Sequence, residues 1–363
     1  MIVDTDAPAP TRVELLGLPL ARLAEALAPV IDRPFRARQV YDALYRRGVL
    51  DFAAMTDIAS PLRAELGRRF SLALPAVTQR RESLDGTTKF LLRLADGASI
   101  ETVDIPDRER RTLCISSQAG CGLACTFCVT GFWGAGRNLT AGEIVGQVLL
   151  VERLQALPDS FNLVFMGMGE PLLNLDAVRD ALEVLGERIS PRRVTVSTAG
   201  VVPGLDALAR WPKRPNLAVS LHAPDDERRG ELMPINRSYP LAELVAALER
   251  FPLEARRRIT LEYLLLAGYN DRPGDAELLA RRFRGLPVKF NLIPFNPDAV
   301  LPAWMKRPDE ASVDRFRDRL EARGFTVTVR RQRGHDVAAA CGQLRAFARA
   351  PRGHAARRAA ARS

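Results

Sequence analysis

The sequence predicts an α/β protein built on a parallel sheet with helices outside it, behind a helical N-terminal segment. From residue 113 onward, short apolar runs alternate with helical stretches, which is the pattern of β–α–β units. Before that point, two Asp-Gly dipeptides at 85–86 and 96–97 interrupt a strand-like alternation and indicate hairpins. Earlier still, apolar residues recur at helical spacing. The alternation fits either a barrel or an open sheet.

Three amphipathic helices are expected in the N-terminal segment, at residues 19–30, 35–47 and 61–70. Ser60 is the expected N-cap of the third helix, with Pro61 at its first helical position. The second helix carries several arginines on its outer side: Arg36, Arg38, Arg46 and Arg47. Such a face is either plain solvated surface or a phosphate-binding surface.

Hairpin strands are expected at 77–83, 88–94 and 99–105, where they would form a small antiparallel sheet. Strands of the parallel sheet are expected at 113–116, 163–166, 194–197, 217–221, 260–265, 289–293 and 326–330. Helices are expected between them at 141–153, 175–189, 241–250, 274–283 and 310–323. Thr140 and Glu143 have the spacing of a capping box, which marks the start of the first of these helices.

Composition is that of an ordinary water-soluble protein with a basic balance. The 363 residues are 47% hydrophobic and 26% charged, and no apolar run is long enough to cross a membrane. The first residues carry acids where a signal peptide carries bases, so we expect a cytoplasmic protein. Net charge is +10, which suits a polyanionic partner. Six arginines and no acid in residues 344–363 supply much of this charge, so composition alone does not establish RNA binding.

These patterns divide the chain into five segments. Residues 1–10 are expected to be a disordered leader, 11–75 a helical accessory domain, and 76–106 a β-hairpin linker. Residues 107–343 form the core domain, and 344–363 a basic flexible tail.

The chemistry is indicated by a loop that carries Cys121, Cys125 and Cys128. A structural zinc site needs a fourth ligand, whereas three thiolates on a [4Fe–4S] cube leave one iron open to bind another group. The alternatives are a zinc site or three thiols with no bound metal. Two further cysteines, Cys114 and Cys341, are distant in sequence, and as isolated residues they would be interpreted as buried apolar thiols.

Five predicted strand ends carry polar or glycine-rich residues, at the edge where parallel α/β folds bind ligands. One is the cysteine loop. The other four are Met166–Pro171, Ser197–Gly200, Ser220–Pro224 and Pro294–Pro297. Taken singly, each fits a tight turn, and His222 fits a structural histidine. Together they indicate a binding site beside the cysteines.

The spacing of the cysteines, with Phe127 before the last one, resembles the cluster loop of radical S-adenosylmethionine (SAM) enzymes. More specifically, the chain resembles the radical SAM ribosomal RNA adenine-C2 methyltransferases. The resemblance covers nearly the whole chain between leader and tail, through the segments 35–39, 121–128, 137–140, 167–171, 220–224, 294–297 and 340–344. It departs from the family pattern at Gly131–Gly136 and at Tyr269.

The resemblance implies a partial (β/α)6 TIM-like barrel behind an RNA-binding module, with a [4Fe–4S] cluster on Cys121, Cys125 and Cys128. It assigns Cys341 as the cysteine that carries the methyl group and Glu101 as the proton acceptor, with Cys114 as the alternative candidate for the base. Cys114 would be the resolving cysteine, which forms a transient disulfide with Cys341. The implied SAM contacts are Gly169, Glu170, Ser197, Ser220, Leu221, His222 and Asn296.

The implied reaction methylates C2 of an adenine in the peptidyl-transferase centre of 23S rRNA, and in some family members the adenine 3′ of the tRNA anticodon. Two SAM molecules are used per turnover, one to methylate Cys341 and one to generate a radical. A covalent protein–RNA adduct forms and is resolved. The enzyme is expected to be a monomer that uses a flavodoxin-type external reductant. The alternatives are a methyltransferase that modifies adenine C8 with the same cysteines, and a non-catalytic, metal-stabilised RNA-binding protein.

Overall fold

The structure is a computed structural model that describes residues 12–108, 110–155, 157–158, 160–330, 333–339 and 342–344, except the side chain of His335. The predicted leader, nearly all of the predicted tail and Cys341 therefore lie outside the described residues. The chain separates into two compact units. One contains residues 1–75, 140–156 and 176–189, and the other contains 76–139, 157–175 and 190–363.

The first unit is helical. Its helices are α1 (Leu20–Leu27), α2 (Phe35–Tyr45), α3 (Ser60–Arg69), α5 (Ala141–Leu154) and α6 (Leu175–Leu185), the last of which begins at the unit boundary. Two short parallel strands, β1 (Val13–Glu14) and β2 (Phe70–Ser71), bring the ends of the N-terminal segment together. The capping box predicted at Thr140 and Glu143 is present at the start of α5. The N-cap predicted at Ser60 is wrong, because α3 begins at Ser60 and Ala59 precedes it without a capping side chain.

The predicted arginine face of α2 is neutralised within its own unit. Arg46 donates to Glu187 at 2.7 Å, and Arg47 donates to Asp57 at 2.9 Å. Phe35, at the start of α2, is 54% exposed. Exposed ion pairs contribute little to stability, so a phosphate group can still compete for these arginines.

The second unit is organised by one ten-stranded sheet. Its strands are β3 (Ala76–Glu82), β4 (Thr88–Arg93), β5 (Ser99–Asp107), β6 (Arg110–Cys114), β9 (Asn162–Phe165), β10 (Val194–Thr198), β11 (Asn216–Ser220), β12 (Ile259–Leu265), β13 (Val288–Pro294) and β14 (Thr326–Val329). The first four pair antiparallel in chain order, and β6 then pairs parallel with β9. The hairpin strands therefore continue the parallel sheet instead of forming a separate one.

In this sheet, β6 and the strands from β9 to β14 are parallel and follow one another in chain order, which gives six β/α units and a last strand. The helices of these units that lie in this part of the molecule are α7 (Val202–Ala209), α8 (Asp226–Leu232), α9 (Leu241–Glu249), α10 (Pro273–Arg282) and α11 (Glu310–Ala322). The architecture is the partial TIM-like barrel that was expected. Each predicted strand and helix is present, with ends displaced by at most four residues.

Two small elements follow β6. A short antiparallel pair, β7 (Gln118–Ala119) and β8 (Arg137–Asn138), closes the base of the loop that carries the cysteines, and α4 (Val129–Trp133) lies inside that loop. Parallel strands end at the same edge of a sheet, so the loops after β6, β9, β10, β11 and β13 are brought together. Within the described residues, no helix is long and apolar enough to span a membrane.

Candidate active site

The loop that carries the three cysteines is held by backbone contacts at both ends and in the middle. The Cys121 N–H donates to the Gly134 carbonyl at 2.9 Å, and the Thr126 N–H donates to the Leu232 carbonyl at 2.9 Å. At the base of the loop, a Cβ added to Gly136 would lie 1.5 Å from the Ala119 carbonyl oxygen. Only glycine fits such a close backbone approach.

The stretch Gly131–Gly136, where the sequence departs from the family pattern, is the later part of this loop and packs on the part that carries the cysteines. A Cβ on Gly131 would lie 3.1 Å from backbone atoms of Cys125. Phe132 and Trp133 pack against an apolar cluster that includes Leu232 and Met233. The departure therefore lies in the packing behind the cysteines.

The three thiols line one pocket and lie close enough to influence each other electrostatically. Burial, more than the charge of Cys128, raises the pKa of Cys121 to about 12, and burial raises that of Cys125 well above its usual value. A bound cationic cluster would reverse this effect by holding the thiols ionised. Among the described residues, no three His, Cys, Asp or Glu side chains are arranged to hold a single metal ion. A cubane cluster does not require such convergence, because each thiolate binds a different iron. The donor set fits a [4Fe–4S] cluster.

The same pocket brings together most of the strand-end residues that the sequence indicated. Gly169, Glu170, Ser197, Ser220, His222 and Asn296 all line it beside the cysteines. Leu221 does not line the pocket. Its side chain is buried, and its backbone N–H donates to the Glu262 carbonyl at 2.9 Å.

Glu170 connects two strand ends through its carboxylate. Oε1 accepts from the Leu172 N–H at 3.0 Å, and Oε2 accepts from the Ala199 N–H at 2.7 Å. The side chain is almost fully buried, and burial raises its pKa. Each carboxylate oxygen can accept a second hydrogen bond. The residue therefore shapes the pocket and still has acceptor capacity for a ligand.

His222 is a neutral imidazole in a fixed tautomer. Burial, assisted by the charge of Arg229, lowers its pKa to about 3. The Leu264 N–H donates to its Nδ1 at 3.0 Å, so the ring proton is on Nε2. The His222 backbone has a φ of +59°, which is unfavourable for a residue with a Cβ. Buried Asn270 supports this conformation, because its side-chain amide donates to the His222 carbonyl at 2.7 Å.

Arg229 on α8 is a central residue that the sequence did not indicate. It is fully buried and donates to the carbonyls of Ala199, Ser220 and Leu221 at 2.7, 3.1 and 3.2 Å. A fourth bond, at 2.7 Å, goes to the side-chain oxygen of Asn236. One guanidinium thereby joins the ends of β10 and β11. Burial lowers its pKa to about 10, so it remains charged at neutral pH.

The predicted proton acceptor and resolving cysteine do not line this pocket and lie on β5 and β6, where the antiparallel part of the sheet meets the parallel part. Val103 pairs with Cys114 across β5 and β6, and Glu101 precedes Val103 by two residues. Alternate residues of a strand face the same side, and so do directly paired residues. Glu101 and Cys114 therefore lie on one face of the sheet, and both are buried.

Cys341 lies outside the described residues, but the chain on each side of it is held. Before it, the Ala338 carbonyl accepts from Lys89 at 2.9 Å. After it, the Gly342 carbonyl accepts from the Val129 N–H at 2.7 Å, and Gly342 lines the pocket. Ala338 therefore contacts the sheet that carries Glu101, and Gly342 contacts the helix that follows Cys128.

A parallel partial barrel, with a three-cysteine loop after its first strand and buried polar residues at the following strand ends, defines a radical SAM enzyme. Sequence profiles agree. The Radical SAM superfamily profile matches residues 115–279, and the profile of the ribosomal RNA large subunit methyltransferase N-terminal domain matches residues 13–72.

Individual relatives specify the family. A dual-specificity RNA methyltransferase RlmN from Geobacter sulfurreducens is 47% identical, and another from Anaeromyxobacter dehalogenans is 48% identical, each over 92% of both chains. The crystal structure of a radical SAM methyltransferase from Sphaerobacter thermophilus superposes with a TM-score of 0.85, at 45% identity, over 92% of this chain and all of that one. The chain belongs to the RlmN family of radical SAM methyltransferases.

Proposed function

We propose that this chain methylates carbon 2 of one adenine in 23S rRNA and of the adenine 3′ of the anticodon in tRNA. The observation that carries this proposal is the similarity, over nearly its full length, to enzymes named dual-specificity RNA methyltransferases. The site geometry supports it, because the cluster loop, the strand-end pocket and the face with Glu101 and Cys114 belong to one sheet.

Adenine C2 lies between two ring nitrogens and is electron-poor, so it does not attack a methyl sulfonium as a nucleophile. When bound, the cluster and SAM would supply the methyl group and the one-electron chemistry that this carbon needs. Cys121, Cys125 and Cys128 would hold the cluster. Gly169, Glu170, Ser197, Ser220, Leu221, His222 and Asn296 would hold SAM, with Leu221 contributing only through its backbone or as support.

Cys341 would carry the methyl group as S-methylcysteine. That methyl group would lose one hydrogen atom to the radical that SAM supplies when bound, and its carbon would then bond covalently to C2 of the RNA base. Glu101 would remove the C2 proton from this adduct, acting as a positioned general base. Cys114 would attack the Cys341 sulfur, release the methylated RNA and leave a disulfide, which an external reductant then cleaves. The location of Glu101 and Cys114 on one buried face of the sheet supports their proposed roles as general base and resolving cysteine.

We further propose that the enzyme is a monomer and that a flavodoxin-type protein supplies electrons. Both follow from the family resemblance. Analytical ultracentrifugation of the purified protein checks the first. Comparison of flavodoxin with dithionite as reductant checks the second.

The reaction is tested with anaerobically purified protein and RNA from a strain that lacks the enzyme. Digested RNA should contain 2-methyladenosine when compared with authentic C2 and C8 standards. Cys114→Ala should accumulate a covalent protein–RNA adduct, and Cys341→Ala should form none. A C8 product would contradict the site of methylation, and free turnover by Cys114→Ala would contradict the resolving role. Colourless protein with stoichiometric zinc would exclude the radical reaction.

A further inference from the structure

We propose that Lys89 is a positioning residue that clamps the segment 334–339, which leads to Cys341, against the carboxylate of Glu101. The inference rests on the proposed function for the roles of Glu101 and Cys341. The clamp itself rests on contacts between described residues.

Strand register places Lys89 on the same face as the two groups proposed to act on the adduct. Lys89 pairs with Val103 across β4 and β5, and Val103 pairs with Cys114 across β5 and β6. Paired side chains share a face, so Lys89 and Cys114 flank Val103 on one side of the sheet. Glu101 lies two residues before Val103, diagonally across from Lys89.

Within the described part of the chain, two contacts of the Lys89 ammonium join segments that are distant in sequence. It lies 3.1 Å from Glu101 Oε1 and donates to the Ala338 carbonyl at 2.9 Å. Lys89 is 6% exposed and Glu101 is 3% exposed. Burial of an ion pair is costly, and replacing such a pair with apolar residues is often neutral or stabilising. A role in placing the segment accounts for the buried pair better than a contribution to stability does.

The clamped segment has a tightly bent backbone. Gly334 has a φ of +60° and Ala338 a φ of +50°. An alanine in this conformation is disfavoured, so the surrounding contacts must hold it. The Lys89 bond to the Ala338 carbonyl is such a contact, and it lies three residues from Cys341.

The β3–β4 turn holds the other end of the segment. The Gly334 N–H donates to Asp85 at 3.0 Å, and the Ser83 hydroxyl donates to Asp336 at 2.5 Å. Among the described residues, the bond from Lys89 to Ala338 is the side-chain contact nearest Cys341 on this side, and the same ammonium contacts the proposed base. If the pair breaks, Glu101 and the segment lose their common point of attachment.

The first test uses hydrogen–deuterium exchange in the purified, cluster-loaded protein without RNA. The reporters are the amides of Val337 and Ala339, both of which donate to the Gly334 carbonyl. Lys89→Met should speed their exchange about tenfold or more, because hydrogen bonds to charged groups are the stronger ones. Arg111→Met is the matched control, since it removes the partly buried pair with Asp104 on the same sheet without touching the segment.

Lys89→Met leaves a buried carboxylate without its cation, so the double variant Lys89→Met/Glu101→Gln provides a second measurement. It removes both charges and still lacks the donor to Ala338. Fast exchange in the double variant supports the clamp. Wild-type protection in either Lys89 variant, or equal deprotection in Arg111→Met, overturns it.

The second test measures the yield of the covalent protein–RNA adduct, which depends on where the segment places Cys341 during the reaction. In a Cys114→Ala background, adduct yield per methylated Cys341 should fall about tenfold when Lys89→Met is added, and stay unchanged with Arg111→Met. This is the change expected when one charged hydrogen bond that holds the reacting segment is lost. An unchanged yield with Lys89→Met refutes the positioning role. Absence of adduct in Cys114→Ala alone would refute the proposed function, while the exchange experiment would still decide on the clamp.

Discussion

Replacing Arg229 with lysine should weaken SAM binding without unfolding the barrel. The substitution keeps a cation in the same place but removes the planar, five-donor group that reaches four acceptors. Three of these acceptors are the carbonyls of Ala199, Ser220 and Leu221, which lie at the ends of β10 and β11.

The expected size of the effect follows from the number of donors. A lysine ammonium has three N–H groups, so at least one of the four acceptors loses its partner. An unsatisfied buried acceptor costs roughly 2 kcal/mol. If this cost falls on the strand ends that are proposed to contact SAM, the dissociation constant rises about thirtyfold. Lysine also hydrates more strongly than arginine, which adds to the cost of burying it.

The assay is equilibrium binding of SAM to cluster-loaded protein, with the thermal unfolding midpoint measured alongside. Arg228→Met is the matched control. Arg228 is the neighbouring residue, and its guanidinium bonds within the described part of the chain go to Asp225, Asp275 and the Tyr269 carbonyl instead of to the ends of β10 and β11. It should lower the midpoint and leave SAM affinity within about twofold, because its bonds lie elsewhere. Wild-type affinity in Arg229→Lys, or equal losses in both variants, would refute the reasoning.

Two further predictions concern the cluster loop and pH. Gly136→Ala should abolish cluster incorporation, because its Cβ would overlap the Ala119 carbonyl oxygen. Gly122→Ala is the control, since its Cβ would make only an ordinary contact with Ala135. Iron content and visible absorbance would show the difference, and a brown Gly136→Ala protein would contradict the prediction. His222, whose pKa falls from 6.5 to about 3 on folding, contributes stability that is complete above pH 6.5 and is lost as pH falls toward 3. Denaturant unfolding should therefore show that the wild type loses about 2 kcal/mol more than His222→Gln between pH 6.5 and 5, and equal losses would exclude a buried neutral histidine.

The sequence by itself determined the element order, and its resemblance to a known family indicated the barrel class and the cofactor chemistry. These depend on local signals: apolar periodicity gave the strands and helices, and the capping box gave the start of α5. The cysteine spacing indicated the cluster loop because its three ligands are close in sequence. Four of the strand ends that the sequence predicted to converge do line one pocket with the cysteines.

Only the tertiary structure decided which side chains hold the site together. Arg229 and Lys89 are inconspicuous in a sequence rich in basic residues, and their importance comes from burial and from partners distant in the chain. The tertiary structure also grouped helices α5 and α6 with the first 75 residues, and it joined the hairpin strands to the parallel sheet. Apolar periodicity in the sequence indicates which face of an element is buried but does not specify what covers that face. A buried charge acquires its function only from the groups that folding places around it.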